Sequence, residues 1–239
     1  MDNRTKLKLR SFKYDAWLRP HSLLYRFLAS QPTITSLIGV DVFPQRVPHL
    51  PPSFLPSLRH LICQIDYTAT ALAPSRPICS IIIRSNFEAL EAVERFVDAL
   101  QSCPGPLDLV NLPCNRVGKE GIHHLFAALK TTKSIILTTS TLAGIGQLSN
   151  PSPGLEEFTT FVPANCKIDA SVATSLAHEL GPNVRCLRFF QSPRTLQVWR
   201  RQKGSFQESL NERRKNLVMM DWLDQYWYPW RIETAALIP

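Results

Sequence analysis

Short apolar runs recur along the chain, and polar, proline-containing or amphipathic segments separate them. Successive runs start 20 to 28 residues apart, about 25 on average. Their richness in β-branched residues and their length of seven or eight residues are typical of strands. The pattern therefore predicts eight strands, which start near Lys6, Thr33, Leu58, Ile78, Pro106, Ser134, Glu156 and Asn183.

Helical periodicity marks three of the segments between these runs. Apolar side chains recur three or four positions apart in residues 87–101, 119–130 and 169–180. In the third segment Val172, Leu176 and Leu180 form the expected buried stripe, and Asp169 is the expected N-cap. These three segments are therefore predicted to be helices.

The alternation of strands with returning segments predicts the fold class. One strand in every 20 to 29 residues is the spacing of leucine-rich repeats, in which stacked units share one core. We therefore predict an α/β fold: an irregular leucine-rich-repeat solenoid with a parallel concave sheet and a C-terminal helical cap. Residues 1–194 form the predicted solenoid and residues 195–239 the basic, aromatic cap.

The predicted cap has its own signals. Ser205 and Glu208 have the spacing of a capping box and predict a helix that ends at Pro229. A dense aromatic cluster follows, made of Trp222, Tyr226, Trp227, Tyr228 and Trp230. The cluster is interpreted as an end cap for the last repeat, and a partner-binding or nucleic-acid-binding surface stays open.

The stretch "LDLVNLPCNRVGKEGIHHLFAAL" matches one long leucine-rich unit. Its leucines are expected to face the core, Asn115 to turn the chain, and the remainder to return as a helix. Asp108, Val110 and Asn111 are expected to face outward. This interpretation makes the segment a repeat rather than a reaction centre.

Strand alternation selects the candidate partner-binding residues. Positions that face away from the core are free to vary and to contact a partner. A slip of one residue would invert the assignment. The candidates on the concave sheet are Gln64, Arg84, Asp108, Asn111, Thr138 and Thr160.

The charge is unevenly placed. The chain has a net charge of +8, and residues 1–30 carry seven Lys/Arg against two Asp/Glu. Residues 185–215 carry nine against two, whereas the middle is nearly neutral. Solvated surfaces explain such ends, and an acidic partner or a nucleic acid is the alternative. The cations chosen for that alternative are Arg200, Arg201, Arg213 and Arg214.

Motifs for catalysis, metals or cofactors are not found in the sequence. Gly118-Lys119-Glu120-Gly121 lacks the first glycine and the Ser/Thr of a P-loop. His123 and His124 point about 100° apart on a helix, which does not suit one metal ion. Six scattered cysteines are typical of reduced thiols, and no apolar stretch is long enough to span a membrane. We therefore expect a non-enzymatic cytoplasmic or nuclear protein without a metal or cofactor.

A further pattern is spread over residues 24–112. It consists of Phe27, Leu28, Pro32, Ile34 and Leu37, then Leu55, Pro56, Leu58 and Leu61, then Arg76, Pro77 and Ile78. These residues resemble the leucine-rich region of fungal F-box-type proteins, and the unit from Leu107 resembles ribonuclease-inhibitor-type repeats.

The resemblance implies a concave sheet that recognises a protein partner. F-box proteins also carry an N-terminal helical module that docks on the Skp adaptor of a cullin ubiquitin ligase. The opening "MDNRTKLKLRSFKYDAWLRP" lacks that pattern, which puts a Skp–cullin partner in doubt. The expected function is thus a protein–protein recognition scaffold, and nucleic-acid binding through the basic ends is the alternative.

Overall fold

The computed structural model describes residues 8–13, 22–39, 50–63, 66–84, 87, 89–114, 116–138, 152–163, 166–192 and 195–209. Within these residues, ten strands form one open sheet whose spatial order is the order of the chain. Five helices lie between strands, so the protein is α/β.

The strands are short. They are β1 (Ser11–Lys13), β2 (Ser36–Ile38), β3 (His60–Cys63), β4 (Ser80–Ile83), β5 (Leu109–Pro113), β6 (Ser134–Thr138), β7 (Glu157–Phe161), β8 (Cys186–Ser192), β9 (Thr195–Gln202) and β10 (Ser205–Glu208). The helices are α1 (Ser22–Ala29), α2 (Asp66–Leu72), α3 (Leu90–Gln101), α4 (Lys119–Ala128) and α5 (Ala170–Leu180).

Strands β1 to β8 are parallel and pair in chain order. Each of the eight predicted runs overlaps one of them, so the prediction of eight strands in a parallel sheet is confirmed. Strands β9 and β10 extend the sheet antiparallel to their neighbours. The apolar runs therefore predict the parallel part of the sheet and miss its last two strands.

The three predicted helices are present as α3, α4 and α5. Asp169 is the N-cap of α5, and its carboxylate accepts hydrogen bonds from the backbone N–H groups of Ser171 and Val172 at 2.9 and 3.0 Å. Leu176 and Leu180 are buried as predicted, but Val172 is exposed. The buried stripe of α5 is thus narrower than its periodicity indicates.

The helix predicted from Ser205 and Glu208 is wrong at its start. These residues form β10, which pairs with β9 across a two-residue turn at Lys203 and Gly204. Both turn residues have positive φ, 47° and 89°. This is the backbone that matches the twist of a tight hairpin. The rest of the predicted cap, residues 210–239, lies outside the described part of the chain.

One hydrophobic core lies between the sheet and the helices. Leu61, Ile81, Val110, Ile135 and Phe158 occupy one row across neighbouring strands and are fully buried. The helices contribute their buried side chains to the same core. All five described helices therefore pack on one side of the sheet, and the opposite face carries no helix among the described residues.

Gly121 permits the close approach of α4 to α3. A Cβ atom at this position would overlap the side chain of Val117 and lie 3.3 Å from Leu90 Cδ1. A larger residue would therefore push the two helices apart.

Arg76 fixes the loop of residues 50–58 to the end of α2. Its side chain is fully buried, and its guanidinium donates hydrogen bonds to backbone carbonyls on both segments. The five accepting carbonyls are those of Leu50, Pro51, Phe54, Leu72 and Pro74. Burial lowers the pKa of Arg76. The carbonyl oxygens satisfy this cation without a carboxylate among the described residues.

Candidate binding surface

The surface of interest is the open face of the sheet, which is the face opposite the helices. Its middle row runs across eight strands in hydrogen-bonded register and contains Ile38, Ile62, Ile82, Asn111, Ile136, Thr159, Arg188 and Val198. Most of these side chains are aliphatic, and Asn111, Thr159 and Arg188 are its polar members. The middle row is therefore an apolar strip with three polar positions.

A second row lies nearer the start of each strand. This start row contains Ser36, His60, Ser80, Leu109, Ser134, Glu157, Cys186 and Arg200. All but Cys186 are exposed or half-buried. The start row thus offers accessible hydroxyl, imidazole and charged groups beside the apolar strip.

An ion pair joins the two rows. Arg188 Nη1 donates a hydrogen bond to Glu157 Oε2 at 2.8 Å. This bond and the positive charge of Arg188 lower the pKa of Glu157 below its ordinary value, against the opposing effect of partial burial. The carboxylate is therefore ionised at neutral pH and holds Arg188 across the face.

Aromatic rings mark the far end of β7 and β8. Phe161 and Phe190 lie in register, and their rings stack with centroids 5.0 Å apart. Together with Cys186, Leu196 and Val198 they form an apolar cluster that is separate from the main core. The open face therefore has its own hydrophobic contacts at the C-terminal end of the sheet.

The middle row is buried although the helices lie on the other side. Ile82, Asn111 and Ile136 are only 6%, 8% and 8% exposed. Each is flanked along its strand by fully buried core residues, so three consecutive side chains of β4, β5 and β6 are buried. Such continuous burial is typical of strands that are covered on both faces.

Asn111 is the buried polar group at the centre of this row. Its Nδ2 donates to the carbonyl of Ile83 at 3.1 Å on the adjacent strand. Its Oδ1 is buried and accepts no hydrogen bond from the described residues. A buried amide oxygen without a donor is costly, so this atom is positioned for a donor from another group.

The structure places three of the candidate residues on or beside the open face and a fourth at the edge that precedes the strands. Asn111 is in the middle row, and Thr138 is half-buried at the end of β6 in register with Pro113. Arg84 directly follows β4 and is half-buried. Asp108 directly precedes β5, is exposed, and pairs with Lys133 at 2.9 Å. Gln64, Arg213 and Arg214 lie outside the described residues.

Two outward assignments are wrong. Thr160 is fully buried on the core face, in register with Leu137 and Phe189. Val110 is likewise buried in the core rather than exposed. Both follow from the alternation of side chains along a strand, because an error of one residue moves a side chain to the opposite face.

A continuous hydrogen-bonded edge precedes the strands. Most residues at this edge donate their backbone N–H to the carbonyl of the equivalent residue on the preceding strand, as Asp108 does to Cys79 at 2.8 Å, whereas Ser134 supplies the N–H to the carbonyl of Asp108. The residues of this starting edge are Arg10, Thr35, Arg59, Cys79, Asp108, Lys133, Glu156, Arg185 and Arg201. Its charged side chains are basic at both ends of the edge, and acidic and basic side chains form ion pairs in the middle.

The described basic groups of the starting edge therefore do not form one continuous patch. Arg10 and Arg185 lie on the same edge but seven strand spacings apart, which corresponds to about 34 Å. Asp108 and Glu156 stand between them and lie 2.9 and 3.9 Å from basic partners. This interruption does not favour a continuous track for a nucleic-acid backbone.

The two described C-terminal cations differ in position. Arg200 lies in the start row of the open face and is half-buried. Arg201 is exposed at the edge, where it donates to the carbonyl of Pro182 at 2.6 Å and lies 5.4 Å from the ring centroid of Phe206. With Arg185 these residues form a local basic corner.

Reactive side chains at the starting edge are not arranged as an active nucleophile. Cys79 Sγ lies 3.8 Å from His60 Nδ1. Burial raises the pKa of the Cys79 thiol, and the charge of Asp108 raises it further. The thiol is therefore protonated at neutral pH, whereas a nucleophilic cysteine needs a lowered pKa.

The two adjacent histidines of α4 differ in their exposure to solvent. His123 is half-buried and His124 is exposed on α4. Within the described ranges, no three His, Cys, Asp or Glu side chains are grouped so that they could hold a metal ion. The helices of the described residues are also too short and too polar to cross a membrane.

Comparisons of the chain with protein-family models, curated proteins and solved structures return no match.

Proposed function

We propose that this chain is a non-enzymatic, leucine-rich-repeat-type scaffold that binds a protein partner through the open face of its sheet. The observation that carries the proposal is the order of the strands. Eight parallel strands succeed one another in chain order and present registered rows of different side chains on the face opposite the described helices. Repeat scaffolds use such a surface for recognition.

Repeat packing supports this assignment. The unit from Leu107 to Leu129 comprises β5 and α4, and its Leu107, Leu112, Leu125 and Leu129 are buried in the shared core. Each unit buries its apolar side against its neighbours, as expected when isolated units cannot form a core alone.

The open face has the chemistry of a protein-binding surface. Leu109 supplies a half-exposed apolar contact, Ser80 and Ser134 flank it with hydroxyl groups, and the ion pair of Glu157 with Arg188 adds charge. Apolar centres with polar surroundings are typical of protein interfaces. A protein partner therefore fits this face better than a uniformly charged polymer does.

The relation to fungal F-box-type proteins is part of the proposal. Arg76 and Ile78 of the resembling pattern are buried, and Arg76 joins two return segments through its carbonyl contacts. These residues therefore have a structural role in the proposed repeats. Substrate recognition is proposed for the sheet, and the proposal does not include docking on a Skp–cullin ligase.

Affinity purification of the tagged full chain from its native lysate, with mass spectrometry, tests the proposed function. Leu109→Glu should remove a specific partner because it places a charge on the open face. Val172→Glu is the matched control, because Val172 is exposed on α5. Equal partner recovery by both variants, or recovery of abundant ribosomal proteins alone, would contradict the proposal.

Nucleic-acid binding is the second candidate function. The observation in its favour is the basic corner formed by Arg185, Arg200 and Arg201. Local clusters of cations attract phosphate, and such binding weakens steeply with salt. The basic corner contains three arginines, whereas the open face extends across eight strands. Protein recognition is therefore the leading proposal.

A further inference from the structure

The low exposure of the middle row requires other side chains that pack against it on the open face. Ile62, Ile82 and Ile136 are at most 9% exposed, and none of them belongs to the main core. All five described helices direct their buried side chains into that core. The side chains that bury these isoleucines on the open face must therefore come from elsewhere.

The end of the described chain lies beside this row. Ser209 donates its backbone N–H to the carbonyl of Val198 at 2.7 Å, and Val198 is in register with Arg188 of the middle row. The chain consequently leaves the edge of the sheet at the level of the middle row. Residues 210–239 begin at this point.

Those residues are long enough to cross the sheet. Ten strands at about 4.8 Å spacing span about 43 Å. The 30 residues that follow Ser209 reach about 45 Å as a helix and about 100 Å when extended. Their length therefore permits contact with every position of the middle row.

The chemistry of the segment matches that of the row. Residues 217–230 read "LVMMDWLDQYWYPW", which combines aliphatic and aromatic side chains with indole and phenol donors. The isoleucines of the row offer apolar contact, and Asn111 Oδ1 offers a buried acceptor without a donor among the described residues. Trp and Tyr are suited to such a surface because each has an apolar body and a polar hydrogen.

We propose that residues 210–239 fold back and occupy the open face of their own sheet, with the aromatic residues against the middle row. The proposal concerns the free chain and does not rest on the proposed partner. If that partner binds the same face, it must displace the segment.

Site-specific photo-cross-linking in the full chain tests this contact. Trp227 is replaced by p-benzoylphenylalanine, and cross-linked positions are mapped by mass spectrometry. We expect products at the open-face residues of β3 to β6, including Ile62, Ile82 or Ile136. The same cross-linker in place of Glu94, which is exposed on α3, should give no product at these positions.

A pair of variants measures the contribution of the row. Ile82→Asn should lower the cross-linking yield from position 227 about tenfold, because it puts an amide into an apolar contact. Val172→Asn should leave the yield unchanged, and far-UV circular dichroism monitors folding of both. If the Ile82→Asn variant unfolds, the cross-linked positions mapped in the chain that keeps Ile82 still test the proposal.

Four outcomes would overturn the proposal. They are products on the helices, products confined to residues 139–151, products between isotopically distinct copies of the chain, and no product above that of the Glu94 control. A positive result with no recovered protein partner would keep this inference and remove the proposed function, so the two failures are distinguishable.

Discussion

Arg76 Nε donates a hydrogen bond to the carbonyl of Phe54 at 2.8 Å, across 22 positions of the chain and inside the protein. The remaining guanidinium hydrogens serve four further carbonyls. Arg76→Met should therefore reduce the free energy of unfolding by about 3 kcal/mol or more, because buried carbonyls lose their donor. Urea denaturation measures this change.

Two further variants define the role of Arg76. Arg76→Lys keeps a positive charge but lacks the planar donor geometry, so it should recover only part of the loss. Arg95→Met on the exposed side of α3 should change stability by less than about 0.5 kcal/mol. A loss of similar size at both arginines would show that the carbonyl contacts of Arg76 contribute little.

Gly121 provides a prediction about helix packing. Gly121→Ala should destabilise the protein by about 1–3 kcal/mol, because the new methyl group overlaps Val117 and presses on Leu90. Gly105→Ala is the control, since a Cβ there meets no atom within 4 Å and the residue lies outside the helices. Thermal unfolding of both variants checks the prediction, and equal midpoints would contradict the close helix approach.

Thr160 should tolerate the loss of its hydroxyl group. Its Oγ1 is buried and has no hydrogen-bond partner among the described residues. Thr160→Val keeps the shape and removes an unsatisfied polar atom, so it should stabilise the protein by about 1 kcal/mol. Destabilisation of that size in urea would instead indicate that the hydroxyl group is bonded in solution.

Glu157 should make stability depend on acid pH. Its folded-state pKa is lowered, first by the hydrogen bond from Arg188, so its contribution is present above the ordinary pKa of 4.5 and is lost as pH falls through the folded value. Glu157→Gln should cost up to about 1 kcal/mol at pH 7, since the carboxylate is partly exposed. This difference should shrink as the pH is lowered below 4.5.

Glu156→Gln is the control for that measurement. Glu156 lies 3.9 Å from Arg185, whose side chain is 73% exposed, so the loss of this longer and more solvated ion pair should have little effect on stability. Parallel pH profiles for Glu157→Gln and the parent chain would contradict a stabilising ion pair on the open face.

Heparin chromatography separates the two candidate functions. Because paired acids interrupt the basic groups of the starting edge, we expect elution at modest salt. Substitution of Arg200, Arg201, Arg213 and Arg214 by glutamine should then lower the salt concentration needed for elution only slightly. Strong retention that this variant abolishes would favour nucleic-acid binding over protein recognition.

The parallel sheet was predictable because its strands are local apolar runs. The strands "SIII" and "SIILT" are rich in β-branched residues, which favour strand structure. The same richness conceals the face of each side chain, because continuous apolar runs lack the alternation that identifies the core side. Val110 and Thr160 therefore face the core, contrary to the prediction from strand alternation, whereas Asn111 lies on the open face.

The last two strands and the candidate surface depend on contacts between residues that local sequence patterns do not reveal. Ser205 and Glu208 satisfy the spacing of a capping box, but pairing with β9 across the turn at Gly204 outweighs that signal. The glycine was the available sign of a hairpin. The carbonyl contacts of Arg76 and the burial of the middle row involve residues far apart in sequence, which local patterns do not reveal.

The lengths of the outer strands bear on self-association. A sheet edge is a template for another strand, and a long unpaired edge promotes aggregation between molecules. Here the outermost described strands are β1 with three residues and β10 with four. Each of these described edges therefore offers few backbone groups to an incoming strand, which limits the growth of the sheet into a fibre.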